Sequence, residues 1–340
     1  MYTSSWLAVA LLGITTSVAS AHAQEACQAV PIDMLGGTSA HVTGLNNWGQ
    51  VVGTIYSSDG PASAYRWERG TTRKLPPLPG ARDTSASAIN DFGLIVGYAT
   101  LGNDNVPVLW TRRGAQRLPG EGSAQAADIN NLGQIVGNRG FSECILWPSP
   151  TSAPISLGSL GGDFCLAHAI NDLGQVVGTA ETSNQELHAF LWERGVLRDL
   201  GTTPIPDNGY ASAELLDINN RGLAVGRVLQ SGLQTDLLFW TEERGLRKIE
   251  FPIPGLPDVI MDGPASSVNE WGLIIAHNYD FTLGLPAHLL LVSEQGDVRD
   301  AGTLGGSVSY DDVFVNERFQ LAWDADLKPY FCQLSWKPPR

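Results

Sequence analysis

The sequence predicts an all-β protein, a seven-bladed β-propeller, and three observations predict it. A short motif recurs seven times from one end of the chain to the other. Each copy has the hydrophobic pattern of four short strands. The last copy lacks its fourth strand, and a segment near the N-terminus has the pattern of that missing strand. The composition agrees, since 38 Gly and 20 Pro among 340 residues disfavour long helices, and 43% hydrophobic residues are too many for a disordered chain.

The N-terminus predicts export. Residues 7–19 form an apolar run that is too short to span a bilayer, and Ala21-His22-Ala23 follows as a small-x-small cleavage site. We expect a signal peptide over residues 1–23, a single domain over 24–340, and a secreted or periplasmic location. An uncleaved anchor and a lipid on Cys27 are the alternatives.

The recurring motif reads Ile/Leu-Asn-x-x-Gly-x-Ile/Val-Val-Gly. Asn at the first position and Gly at the fourth suit a type I turn that closes with a positive φ, where a Cβ would be strained. A Trp ends the next strand in six of the seven copies. The seven asparagines are Asn46, Asn90, Asn130, Asn171, Asn219, Asn269 and Asn316.

The fourth copy illustrates the four strands, which read AHAIN, GQVVGTA, HAFLWER and VLRDLG. The first strand is rich in small residues such as Ala167 and Ala169, whereas the third is bulky and aromatic. A propeller blade is a wedge that narrows toward the central axis. The first strand is therefore predicted to be the innermost one.

The chain ends predict how the ring closes. The last copy stops after a third-type strand, Tyr330 to Trp336, and lacks an outer strand. Residues 31–37 match the outer-strand pattern of residues 197–201. We therefore expect the N-terminal segment to complete the last blade and to remove the open edges. An open β-solenoid is the alternative.

Four cysteines in an exported chain are expected to pair, and three connectivities are possible. Cys27 precedes the closing strand and Cys332 lies in its expected neighbour, so this pair would lock the ring. Cys144 and Cys165 form the other pair, between the third and fourth copies. Free thiols remain the alternative, and the absence of Cys-x-x-Cys argues against a redox role.

The repeat resembles a bacterial extracellular family. His188-Ala189-Phe190-Leu191-Trp192, then Asp199-Leu200-Gly201, and the Asn-x-x-Gly core resemble the HAF-repeat family, named for its His-Ala-Phe motif. Only the fourth copy keeps His-Ala-Phe intact. The resemblance covers nearly all of the mature chain and implies an exported bacterial repeat protein of unassigned activity. It brings no catalytic residues.

The net charge and the spacing of His and acidic residues exclude several classes of partner and metal site. A net charge of −14 repels phosphate backbones and anionic lipids, so neither nucleic acid nor a membrane surface is an expected partner. His188 and His288 fall two copies apart and cannot share a metal ion. The acidic stretches at 103–105 and 324–326 lack the spacing of a calcium loop, and we interpret them as turns. No metal or cofactor site is predicted.

Loop lengths predict the binding face. In a four-stranded meander the first and third turns lie on one face of the disc, and these turns are short and uniform. The second turns and the inter-blade connections vary and crowd on the opposite face, where binding is usually built. The candidate ligand-binding residues there are Tyr210, Tyr279, Asp280, Phe281 and Tyr310, although such aromatics can equally cap the core.

Three functions are compatible with the sequence. Motifs for serine hydrolases, phosphate loops, zinc proteases and dinucleotide binding are missing from it. The leading hypothesis is a secreted, non-catalytic, monomeric propeller that binds a glycan or a protein through its variable loops. The alternatives are a carbohydrate-active lyase or hydrolase with acids from several blades, and a structural surface or matrix protein.

Overall fold

The structure, a computed structural model, confirms the predicted seven-bladed β-propeller. It describes residues 27–202, 211–230, 235–248, 265–280, 285–295, 297–303 and 308–334. Over these residues the secondary structure consists of strands in seven antiparallel four-stranded sheets. The predicted signal peptide lies outside the described residues. Nowhere in the described part of the chain does a helix occur that is long and apolar enough to cross a membrane.

The strands follow one another from blade to blade in chain order. They are β1 (Val30–Pro31), β2 (Ser39–Leu45), β3 (Val51–Tyr56), β4 (Ser63–Glu68), β5 (Thr71–Lys74), β6 (Thr84–Ile89), β7 (Ile95–Leu101), β8 (Asp104–Thr111), β9 (Gly114–Arg117), β10 (Gln125–Ile129), β11 (Ile135–Arg139), β12 (Glu143–Trp147), β13 (Ile155–Ser156), β14 (Gly161–Ile170), β15 (Val176–Thr182), β16 (Leu187–Glu193), β17 (Val196–Gly201), β18 (Ala211–Ile218), β19 (Ala224–Gln230), β20 (Thr235–Thr241), β21 (Gly245–Lys248), β22 (Ala265–Val268), β23 (Leu273–Asp280), β24 (Leu285–Ser293), β25 (Val298–Thr303), β26 (Val308–Val315), β27 (Gln320–Ala325) and β28 (Lys328–Gln333). Blade 1 is β2–β5, blade 2 is β6–β9, and so on to blade 6, β22–β25; blade 7 is β26–β28 with β1.

The first strand of each blade is the innermost, as predicted. First strands of neighbouring blades contact one another around the central axis. In blades 1 to 6 the pairing of this strand with the second shifts by one residue, three positions before the motif asparagine; in blade 1 the shift falls between Val42 and Gly44. Such a bulge bends the strand where it approaches the axis.

The motif turn has the predicted geometry. The glycine three residues after each of the first six asparagines has a positive φ, for example 73° at Gly49. Blade 7 has Phe319 there instead, with φ 58°. The second motif glycine serves close approach: a Cβ on Gly178 would lie 2.0 Å from the carbonyl oxygen of Leu166, next to the bulge.

The hydrophobic core lies between the blades. Each buried cluster joins side chains of two neighbouring blades, as where Val52 and Ala64 of blade 1 pack with Ile95 and Trp110 of blade 2. The Trp110 indole donates to the carbonyl oxygen of Pro76 at 2.8 Å, which attaches it to the preceding blade. Adjacent blades therefore stabilise each other.

The ring closes at blade 7, as predicted, with a shift in position. Val30 pairs with Phe331 and Pro31 with Tyr330, and the Ile32 amide donates to the carbonyl oxygen of Pro329. The strand is shorter and earlier than the predicted 31–37, because the chain turns at Leu35, whose φ is 51°. Trp336 lies outside the described residues.

Both predicted disulfides are confirmed. Cys27 is bonded to Cys332 across 305 residues and fastens the first described residue to blade 7. Cys144 is bonded to Cys165 and joins blade 3 to blade 4.

Candidate functional site

The seven motif asparagines form a closed hydrogen-bonded ring, which we call the asparagine belt. Each side-chain amide donates to the backbone carbonyl of the asparagine in the next blade, and Asn316 of blade 7 donates to Asn46 of blade 1 at 2.8 Å. Each side-chain oxygen also accepts two amides of its own turn, as Asn46 does from Trp48 and Gln50. All seven are buried. The asparagine thus shapes its turn and ties adjacent blades together.

A second ring, the capping ring, lies one residue further along. In every blade the backbone amide of the residue after the asparagine donates to the side chain of its counterpart in the next blade, at 2.6 to 3.1 Å. Only Asn, Asp and Glu occupy these positions, since each must present an acceptor oxygen. The members are Asn47, Asp91, Asn131, Asp172, Asn220, Glu270 and Glu317.

The two rings surround the mouth of a central cavity of about 290 Å³, which receives side chains from all seven blades. Deeper inside, the Asp128 carboxylate accepts the Ile170 amide of the next blade, and the Asp217 carboxylate accepts the Val268 amide. Among the described residues no Lys or Arg lines this cavity. The Ser266 hydroxyl is buried in the lining and has no hydrogen-bond partner among the described residues.

Burial raises the pKa values of four carboxyls in this cavity. Desolvation raises the pKa of Glu317 to about 7, and the neighbouring Glu270 carboxylate adds to the effect. Desolvation likewise raises the pKa of Asp128 to about 6 and raises the pKa values of Asp217 and Glu270. Because Asp and Glu line the cavity and no Lys or Arg does among the described residues, its charge favours a positively charged group.

Five exposed apolar side chains surround this mouth at the tips of the motif turns. They stand two residues after the asparagines, are 55 to 70% exposed, and form what we call the apolar crown: Trp48, Phe92, Leu132, Leu173 and Trp271. The other two positions hold Arg221 and Arg318. The Trp48 indole donates to the Asp91 carbonyl at 2.9 Å, and the Arg318 guanidinium lies 4.7 Å from its ring centre. Trp48 is thus held in place although it is exposed.

Between blades 1 and 2, on the same face, lies a groove of about 410 Å³ that we call the basic groove. Its aromatic lining comprises Trp48, Phe92 and Trp110. The turns after β4 and β8 place Arg69 and Arg112 at its edge. Arg66 lines it as well, together with the acidic residues Glu68 and Asp91.

The structure places the predicted binding residues only in part. Tyr210 and Phe281 lie outside the described residues. The backbone of Tyr279 and Asp280 ends β23, and Tyr310 lies near the start of β26, both on the face of variable loops. The side chains of these three are not described. Binding through the variable loops therefore stays a prediction.

His188 and the two acidic stretches, which the sequence analysis considered as metal ligands, have structural roles. His188 binds the Asp199 carboxylate through Nδ1 at 2.8 Å, an intrablade contact between β16 and β17. The interpretation of the two acidic stretches as turns is correct only in part: Asn103 lies in a turn but Asp104 and Asn105 begin β8, and Asp326 lies in a turn but Asp324 and Ala325 end β27. Within the described residues no group of three His, Cys, Asp or Glu side chains could hold a metal ion.

Sequence reasoning did not anticipate the two rings or the apolar crown. A signal existed, because all seven asparagines are followed by Asn, Asp or Glu, and five of the next positions are large and apolar. Such a column of acceptors has no purpose within a single turn. It indicates bonds between repeats.

The sequence matches no protein-family model, and no curated protein sequence matches it. Solved structures share its fold. Virginiamycin B lyase from Staphylococcus aureus is 12% identical with a TM-score of 0.59, covering 91% of this chain and 99% of its own. YCF48 bound to D1 peptide is 11% identical with a TM-score of 0.58, covering 92% and 98%.

A third similar structure is the extracellular domain of the putative one-component system BT4673 from B. thetaiotaomicron, 10% identical with a TM-score of 0.55, covering 90% of this chain and 40% of that one. Identities this low show that the architecture is shared and carry no information about activity. The functions of these proteins differ from one another. The chain is a seven-bladed β-propeller similar in fold to virginiamycin B lyase, to YCF48 and to the extracellular domain of a putative one-component system.

Proposed function

We propose that this protein is an exported, non-catalytic binding propeller whose ligand is a polypeptide, held on the face that carries the asparagine turns. The observation that carries the proposal is the apolar crown around a negatively charged cavity. Five large apolar side chains exposed around one opening indicate an interaction surface more than apolar residues scattered singly over a surface do. The negative cavity specifies the partner's chemistry, since a Lys or Arg side chain flanked by apolar residues complements both features.

The fixed orientation of two crown tryptophans supports binding on the face that carries the asparagine turns. The Trp271 indole donates to the Glu317 carbonyl at 3.3 Å, as the Trp48 indole does to Asp91, so both rings are fixed before a ligand arrives. Fixed aromatic side chains contribute contact area at low conformational cost. The two disulfides support export, because such bonds persist in oxidising compartments. The solved peptide complex of YCF48 is a precedent for peptide binding on this fold, and no more.

The test is a positional-scanning peptide library screened against the purified mature protein. We expect selection for Lys or Arg with neighbouring apolar residues. The variant W48S/F92S/W271S should lose at least tenfold in affinity for the selected peptides. Phe141→Ser is the matched control, because Phe141 is equally exposed but lies on the face of variable loops. Loss of binding in that control with retention in the crown variant would place the site on the other face and refute the proposal.

A second candidate function has one observation in its favour. A glycosidase needs a carboxyl that is protonated near neutral pH, and the pKa of Glu317 is about 7, beside Glu270 of the neighbouring blade. The second candidate is therefore a carbohydrate-active enzyme whose catalytic acids come from several blades. Turnover on a panel of polysaccharides, abolished by Glu317→Gln, would favour it over a binding role. A structural matrix role would instead be indicated by self-association of the purified protein.

A further inference from the structure

The basic groove differs in charge from the rest of the molecule. Its lining holds three Arg, at 66, 69 and 112, against Glu68 and Asp91, in a chain whose net charge is −14. Charge is therefore segregated within one face, with a negative cavity on the axis and a positive groove between blades 1 and 2. Such segregation favours a ligand with the opposite arrangement.

Two guanidinium groups at the groove are available for a ligand. Arg66 is paired with Glu68 at 3.3 Å. Across residues 27–202, which the structure describes without a gap, Arg69 and Arg112 form no ion pair, and both are exposed. They come from the third turns of adjacent blades, on opposite sides of the groove. A guanidinium is well suited to bind a carboxylate through two hydrogen bonds.

The negative cavity and the basic groove adjoin each other. Asp91 lines both, with its carboxylate in the capping ring of the cavity. The Trp48 indole, which lines the groove, donates to the backbone carbonyl of the same Asp91. An extended chain that crossed Trp48 would place one end over the cavity and the other in the groove.

We infer that the basic groove binds a carboxylate of the same polypeptide ligand, so that the ligand carries a basic residue and an acidic residue on either side of an apolar one. This inference rests on the proposed function and specifies its ligand. The basic side chain enters the mouth between Glu270 and Glu317. The apolar side chain lies against Trp48 and Phe92, and the carboxylate meets Arg69 and Arg112.

The experiment uses four fluorescein-labelled decapeptides with the mature protein. One carries Lys, a central Leu-Phe and Asp; one has this order reversed; one lacks the Asp; and one lacks the Lys. Fluorescence anisotropy at low salt gives the affinities. We expect the better of the two doubly charged peptides to bind about tenfold tighter than either singly charged one, with the difference decreasing at high salt.

Two matched variants separate the inference from the proposed function. R69E/R112E should bind the doubly charged peptide about tenfold more weakly and the Asp-free peptide unchanged. R73E/R117E reverses the same number of charges, but on the outer strands β5 and β9 and away from the groove. This variant should bind the doubly charged and the Asp-free peptides as the wild type does. If R69E/R112E binds like R73E/R117E, the inference is wrong and the proposed function stands. If the wild type binds none of the four peptides, both are wrong.

Discussion

Replacing Glu317 by Gln should change how stability depends on pH. The folded-state pKa of Glu317 is about 7, against 4.5 for a free glutamate, so the folded protein binds the proton more tightly than the unfolded chain. The contribution of this group to stability is therefore fully present below pH 4.5 and is lost as the pH rises through about 7. Gln keeps an oxygen that can accept the Glu270 amide and carries no charge.

The magnitude follows from that difference in pKa. Between 4.5 and about 7 it corresponds to about 3 kcal/mol at most. Because the carboxyl is partly exposed at the cavity mouth, solvent screening lowers the expected effect to about 1–2 kcal/mol. Glu317→Gln should thus exceed the wild type in free energy of unfolding by that amount at pH 8 and equal it at pH 4. The corresponding rise in Tm at pH 8 is about 1.5–3 °C.

The assay is urea unfolding followed by tryptophan fluorescence at intervals from pH 4 to pH 8.5. Glu121→Gln is the control, since it removes the same charge from an exposed loop away from the cavity. Asp128, whose pKa is raised to about 6, gives a similar loss of stability in all three proteins and does not affect the comparison. Parallel curves for the wild type and Glu317→Gln would refute the electrostatic description of the mouth.

Two further predictions concern the framework. Asn130→Ala should lower the free energy of unfolding by about 2–4 kcal/mol in the same urea assay, because it leaves two part-buried amides of its turn and the buried carbonyl of the next blade without partners; a loss below 0.5 kcal/mol would mean that the belt adds little. In the loop-entropy model C27S/C332S should cost up to about 5 kcal/mol and C144S/C165S up to about 3, since the closed loops span 305 and 21 residues; the opposite order in thermal unfolding would show that ring closure is not the main contribution.

Much of the fold could be predicted from the sequence because the repeat is local. The spacing of Asn171 and Gly174 determines a turn, and the alternation of small and bulky strands determines which strand faces the axis. The disulfides followed from the ring, since closure brings Cys27 to Cys332. These inferences needed only short-range geometry and the number of repeats.

The candidate site was harder to predict because its bonds join residues of different blades. The amide of Asp91 binds Asn131, which is 40 positions away, and nothing within one turn requires that contact. The bulge before the asparagine in blades 1 to 6 is a backbone feature without a residue signature of its own, since Thr43, Ala127 and His168 all occupy it. Sequence reasoning also weighted loop variability, whereas the apolar crown lies on the uniform turns.

The asparagine belt has a direction. Every side chain donates toward the following blade and none toward the preceding one, so the circuit has no first or last member. The joint between blade 7 and blade 1 is chemically the same as the six joints made by consecutive repeats. New termini could therefore be cut at another blade boundary, with the old ends joined, and the circuit would be unchanged. Deleting a single repeat, by contrast, would increase the angle between neighbouring blades and so change the geometry of every remaining hydrogen bond in the belt.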